Sequence, residues 1–98
     1  MTHSVVIDAD FKELVPVYLA NRRAELRLIA GYIFALDFEA LRKTGHQLTG
    51  SGGSYGFERV SELGRGIEDA ALEKDLAAIK ILAAELEEYL TDIEPVYE

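Results

Sequence analysis

Between Asp8 and Asp92 the apolar positions recur every three or four residues, the spacing of one helix face, and nothing there alternates as a strand would. Asp8 or Asp10 can cap a short first helix that runs to about Val15. Pro16 then suits the first turn of a second helix, where its missing N–H has no intrahelical partner to lose. That helix runs to Leu36 with Leu19, Leu26, Ile29, Ile33 and Leu36 on one face. Asp37 caps a third, whose inner face is Phe38, Leu41, Gly45, Leu48, Gly52 and Tyr55. Gly56 breaks the pattern, and a fourth helix turns Val60, Leu63, Gly64, Ile67 and Ala71 inward. Asp75 caps a fifth with Leu76, Ile79, Leu82, Leu86, Leu90 and Ile93 on its inner face. Ahead of them, Val5-Val6-Ile7 reads as a short extended lid or a strand fragment, too little to build a sheet.

The connections around Asp37, Gly56 and Lys74 are so short that consecutive helices must lie antiparallel. The expected fold class is therefore all-α: an antiparallel up-down four-helix bundle with a short N-terminal helix packed across it, residues 1–98 forming one domain. The second helix fits least well. Arg22 falls on the apolar seam between Leu19 and Leu26, as a snorkelling or acid-paired residue. Leu28 and Tyr32 project to the opposite side, where the N-terminal helix would cover them or a partner would dock.

Composition narrows the function classes. The chain has 98 residues, 49% of them hydrophobic, enough for a single core. With no cysteine there is neither a disulfide nor a thiolate metal site. The longest apolar run, Leu28 to Leu36, falls far short of the roughly 20 residues that span a bilayer. No signal-peptide pattern opens the sequence, so a cytoplasmic protein is expected. The net charge is −8 and uneven: residues 75–98 carry seven acids and one base, residues 1–36 four of each. Such an acidic chain lacks the electrostatic footprint for nucleic acid or for anionic membrane. Around the glycine-rich segment the sign reverses locally, with Arg42, Lys43, Arg59 and Arg65 close in sequence.

That segment, His46-Gln-Leu-Thr-Gly-Ser-Gly-Gly-Ser-Tyr-Gly56, breaks the rules of the helix that holds it. Each glycine costs about 1 kcal/mol relative to alanine in a helix interior, so Gly45, Gly50, Gly52 and Gly53 together cost about 3–4 kcal/mol. A penalty of that size in a small domain points to a functional site. At about 100° per residue, His46 sits roughly 120° from the centre of the inner face and projects from the flank of the bundle. Gly50 and Gly53 follow one and two turns along the same flank, so the imidazole has no neighbouring side chain on its C-terminal side. A reacting ring nitrogen that must enter another protein's active site needs that clearance. If the turn between the third and fourth helices centres near Phe57, antiparallel packing pairs residues whose numbers sum to about 114. His46 is then level with Glu68, and a carboxylate on Nδ1–H would fix the tautomer and leave Nε2 as the free nucleophile.

Competing motifs fail. A dinucleotide fingerprint counted from Gly50 would need glycine at Tyr55 and a preceding strand, and a P-loop from Gly45 would need lysine at Ser51. A metal site would have His46, Glu68 and little else, with His3 in a frayed terminus.

The pattern His46, Leu48, Gly50, Ser51, Gly53 and Gly56, followed by Ile67-Glu68 and preceded by Asp37-Phe38-Glu39-Ala40-Leu41, resembles the histidine phosphotransfer domain family, of the stand-alone type. The resemblance covers nearly the whole chain. It implies that His46 is a phosphoacceptor, that Glu68 orients it, and that Arg42, Lys43, Gln47, Thr49, Gly50 and Gly53 form the receiver-docking surface and phosphoryl environment. One departure stands out: Thr49 occupies the place of a lysine that in the family offsets phosphoryl charge, and Arg42 and Lys43 are the candidate substitutes. The resemblance further implies a monomeric phosphocarrier of two-component signalling, not an enzyme. Its partners would be a response-regulator receiver domain, a hybrid sensor kinase or both. It would hold no cofactor, Mg²⁺ belonging to the partner. The rival is a helical docking or regulatory module that binds a receiver or a kinase without carrying phosphate.

Overall fold

The computed structural model describes residues 3–98, with the backbone only of His3. Its elements are strand β1 (His3–Ile7), a single 3-10 turn (Ala9–Phe11), helices α1 (Val15–Ala35), α2 (Phe38–Tyr55), α3 (Glu58–Leu72) and α4 (Leu76–Asp92), and strand β2 (Ile93–Tyr97). The three helix connections are built alike. Each preceding helix ends on a left-handed residue, Leu36 (φ 56°), Gly56 (φ 85°) or Lys74 (φ 56°). The N–H groups of Asp37, Phe57 and Asp75 then reach back to the carbonyls of Tyr32, Gly52 and Ala70 at 2.9, 2.8 and 2.8 Å. This closes the carbonyls that a helix end leaves open. Asp37 and Asp75 start the next helices by accepting from the N–H groups of Ala40 and Ala78, each at 3.1 Å.

The core follows the expected inner faces closely. Leu41, Gly45, Leu48 and Gly52 of α2 are buried, as are Val60, Leu63, Gly64, Ile67 and Ala71 of α3 and Ile79, Leu86 and Leu90 of α4. Tyr18 stacks on Phe57 (ring centroids 5.2 Å) and on Tyr55 (4.5 Å), tying the start of α1 to the α2–α3 turn.

α2 and α3 form the tightest helix pair. Residues early in α2 lie against residues late in α3: a Cβ added to Gly45 would stand 2.6 Å from both the Gly64 carbonyl oxygen and the Glu68 backbone nitrogen. At the other end, one added to Gly52 would stand 2.7 Å from the Ser61 nitrogen and 2.8 Å from the Phe57 carbonyl oxygen. From the opposite side, one added to Gly64 would meet Leu48 Cβ at 2.6 Å. Ser61 Oγ completes the contact by donating to the Thr49 carbonyl at 2.6 Å.

Five expectations need correction. The chain is not all-α: β1 and β2 pair in parallel, with Ile7 opposite Tyr97. Among the described residues no α-helix precedes Val15; after Asp8 there is one 3-10 turn, its Asp10 N–H bonded to the Asp8 carboxylate at 2.9 Å. The Ala9 N–H is already spent on the Glu98 carbonyl, and so few residues cannot repay helix nucleation. Ile93 is buried but belongs to β2, because Pro95 pushes the residues before it out of helical conformation. Leu36 faces outward at the left-handed cap. Leu28 is uncovered as well, since the N-terminal segment packs instead at the α2–α3 turn, Phe11 on Tyr55 and Ile7 beside Gly56. Tyr32 is partly buried against the core.

The glycines divide by what surrounds them, and the division is measurable. Gly64→Ala should destabilise the protein by about 1–2 kcal/mol, because the overpacking cost against backbone exceeds the helix-propensity gain. Gly50→Ala, where nothing lies within 4 Å, should stabilise it by about 0.5–1 kcal/mol. Urea unfolding of both variants checks the opposite signs.

Candidate functional site

Helix α2 presents His46 on its flank, and the side chain is 73% exposed. Directly across, Glu68 of α3 places Oε2 3.1 Å from His46 Nδ1. The pair forms because Gly45 and Gly64 let the two backbones touch, which brings the flanks of α2 and α3 within reach of one hydrogen bond. The Glu68 side chain is only 21% exposed, so its carboxylate is held while the imidazole stands in solvent. With Nδ1–H donating to Glu68, Nε2 carries the lone pair and faces outward.

The ground beyond the ring is bare. A Cβ at Gly50 would meet nothing within 4 Å, and one at Gly53 only Ser61 Oγ at 3.6 Å. Gln47 is exposed beside the histidine. The glycine-rich segment therefore serves two purposes: Gly45 and Gly52 admit α3, whereas Gly50 and Gly53 keep the approach to His46 open.

The nearby cations are committed to a carboxylate. Arg42, one turn before His46, forms a two-pronged bond with Glu39, Nη2 to Oε1 at 2.6 Å and Nε to Oε2 at 3.1 Å. This hydrogen bond holds the Glu39 carboxyl below the usual carboxylate range and raises Arg42 in turn, with the Glu68 charge adding to the latter. Lys43 Nζ lies 4.0 Å from the same Glu39 carboxylate and remains largely exposed. Thr49 points back along its own helix, Oγ1 donating to the Gly45 carbonyl at 2.9 Å, so its hydroxyl is not offered to the flank.

Sequence reasoning overlooked Glu39 as the partner of both cations, although spacings of three and four residues would have found it. It also overlooked Ser51 as a partner of Arg22 beneath the segment. Arg22 is paired with Glu25, donates from Nη1 to Ser51 Oγ at 2.8 Å, and lies over the Tyr18 ring 4.9 Å from its centroid. Burial raises the Glu25 carboxyl, and the Arg22 charge opposes the rise. Arg22 thus anchors α1 to α2 one and a half turns beyond His46. On the apolar seam Arg22 is acid-paired, as its sequence position suggested, and only its Ser51 partner comes from a distant part of the chain.

Among the described residues, no three His, Asp or Glu side chains come together as a metal site requires, and the His3 side chain lies outside the described part. No helix among them is long and apolar enough to cross a membrane.

The model of one protein family, the Hpt domain, matches residues 7–94. No curated protein and no solved structure gives a match to the chain. The match runs from the end of β1 into β2 and takes in all four helices. The chain belongs to the Hpt domain family.

Proposed function

We propose that this chain is a phosphorelay intermediate of two-component signalling, with His46 as its phosphoacceptor. The observation that carries the reading is the 3.1 Å contact between His46 Nδ1 and Glu68 on a solvent-exposed ring, in a chain of this family. The Nε2 lone pair attacks the phosphorus of an aspartyl phosphate on a receiver domain, or of a kinase's phosphoryl donor. An N–P bond forms as the bond from phosphorus to its donor atom breaks, and the donor group, the aspartate carboxylate in the receiver's case, leaves with the electron pair. No proton has to leave Nε2 first, because the ring proton is held on Nδ1 by Glu68. In the reverse direction the same atom returns the phosphoryl group to a receiver aspartate.

The chain then acts as a phosphocarrier and not as an enzyme. The receiver's acidic pocket and its Mg²⁺ supply charge neutralisation, and this chain supplies the nucleophile, its orientation and a docking face. Gln47, Gly50 and Gly53 border the nitrogen on that face. Arg42 and Lys43 would stand near the phosphoryl group in place of the lysine that Thr49 replaces. Arg42 also borders a groove of about 400 Å³ with Leu36, Phe38 and Leu72, apolar surface next to the cations. The reading takes the helices as an up-down bundle. It draws support from the pairing of early α2 with late α3, and of Arg22 near the start of α1 with Ser51 near the end of α2.

Thr49 favours a second reading, a helical module that docks on a receiver or kinase without carrying phosphate, since its hydroxyl is turned away from the flank. Incubation with a phosphorylated receiver domain separates the two. Acid-labile phosphate should appear on the wild-type chain and be absent from His46→Gln, which should keep its circular dichroism spectrum because the ring is exposed. Full labelling of His46→Gln would remove His46 from the mechanism. An unlabelled wild type with the receiver still bound would leave the docking reading.

Two further variants test the site's geometry. Gly50→Leu should melt no lower than wild type yet lose at least tenfold in transfer rate, since the leucine occupies the approach path. Glu68→Gln should slow transfer without abolishing it, because the amide oxygen still accepts from Nδ1–H but carries no charge to balance the ring as phosphate arrives. Rapid-quench measurement of transfer from a phosphoreceiver reads both.

A further inference from the structure

The two-stranded sheet has one guarded edge and one open edge. Glu98 donates its N–H to the Ile7 carbonyl at 3.0 Å and accepts from the Ala9 N–H at 2.9 Å. In a parallel ladder the same residue makes both bonds, and its neighbours alternate. With Ile7 opposite Tyr97, the odd residues of β1 therefore turn their backbone groups toward β2, and Ser4 and Val6 turn theirs outward. On β2 the outward-facing residues are Ile93, Pro95 and Tyr97, and the central one has no N–H to give. A proline there is a guard against further pairing. β1 has no such guard, and Val6 is 61% exposed.

The open edge looks onto a groove of about 960 Å³, the larger of the two described above and here. Ser4, Val5 and Val6 form one wall, and the first turns of α3 and the middle of α4 the other. That second wall carries Glu58, Glu62, Glu85 and Glu88 against a single cation, Arg59. Arg59 is already shared between Glu62 at 3.1 Å and Glu85 at 3.2 Å, whereas Glu58 and Glu88 form no ion pair among the described residues. The groove lies at the Gly56 end of the molecule, about ten residues and so about 15 Å along α2 from His46.

We infer that this groove binds an extended, lysine- or arginine-rich peptide segment of a partner, which adds as a strand to the Ser4–Val6 edge with its cations toward the α3–α4 carboxylates. The outward-turned N–H and C=O groups of Ser4 and Val6 supply the ladder, and the wall opposite selects for positive charge. A second copy of this chain is a poor occupant. Edge-to-edge pairing of two β1 strands would bring two acidic walls together in a protein of net charge −8. The inference does not depend on phosphate transfer at His46, since the two surfaces are separate.

The test uses the full chain and a synthetic peptide of alternating lysine and valine. Its control is the same peptide N-methylated at alternate residues, which keeps the charge but cannot complete a ladder. Backbone NMR should show the first peptide slowing amide exchange at Ser4 and Val6 and shifting Glu58 and Glu88, with binding that weakens as salt rises. The N-methylated peptide should give no such protection. Glu58→Gln combined with Glu88→Gln, both exposed positions, should weaken binding about fivefold. Equal binding of the two peptides, or shifts that avoid β1, would overturn the inference. So would self-association of the chain that protects Ser4 and Val6 without any peptide.

Discussion

Helix α2 can lie on α3 only because Gly45, Gly52 and Gly64 carry no side chains at the points where the backbones meet. The distances that a Cβ would make there, 2.6–2.8 Å to backbone atoms or to Leu48 Cβ, leave no room even for alanine. Three glycines inside helices cost about 1 kcal/mol each in propensity, and the packing of Leu41, Leu48, Leu63 and Ile67 offsets that cost. Close approach also fixes the level of one helix against the other to within a residue. A shift of one position would turn Glu68 away from His46. The His46–Glu68 contact on the outside of the molecule is therefore set by backbone contact on the inside.

Much of this was legible in the chain because it is local. Asp37 and Asp75 announce helix starts, and the three- and four-residue spacing names the buried face of α3 almost completely. The level of Glu68 against His46 follows from a tight turn near Phe57, which the Gly56 cap provides. What escaped is what depends on distant residues. Val5-Val6-Ile7 could be read as a strand fragment, but its partner β2 comes from the opposite end of the chain and shows no period strong enough to reveal the sheet. Ile93 continues the apolar spacing of α4 into a strand. Leu36 has the right spacing for the core, yet it is the residue that must adopt a left-handed φ to end α1, and that swings it outward. Spacing alone also could not tell Gly50 from Gly52: one faces open space and the other a neighbouring backbone.

Most polar groups around the site are engaged by neighbours, while the imidazole stands exposed. Thr49 is bonded to its own helix, Ser51 is engaged by Arg22, and Arg42 is clamped by Glu39. These bonds hold Thr49, Ser51 and Arg42 close to the helix, and the His46 ring projects beside them. Thr49 puts no charge beside that ring, whose orientation comes from α3.

The central claim is that α3 dictates which nitrogen of His46 is free, and the tautomer of the neutral ring reports it directly. Long-range proton–nitrogen correlation NMR distinguishes a protonated Nδ1 from a protonated Nε2. The wild-type chain should show the proton on Nδ1, and Gly64→Ala, which forces the helices apart, should show a mixture. A wild-type ring protonated at Nε2, or a tautomer indifferent to Gly64→Ala, would contradict the account.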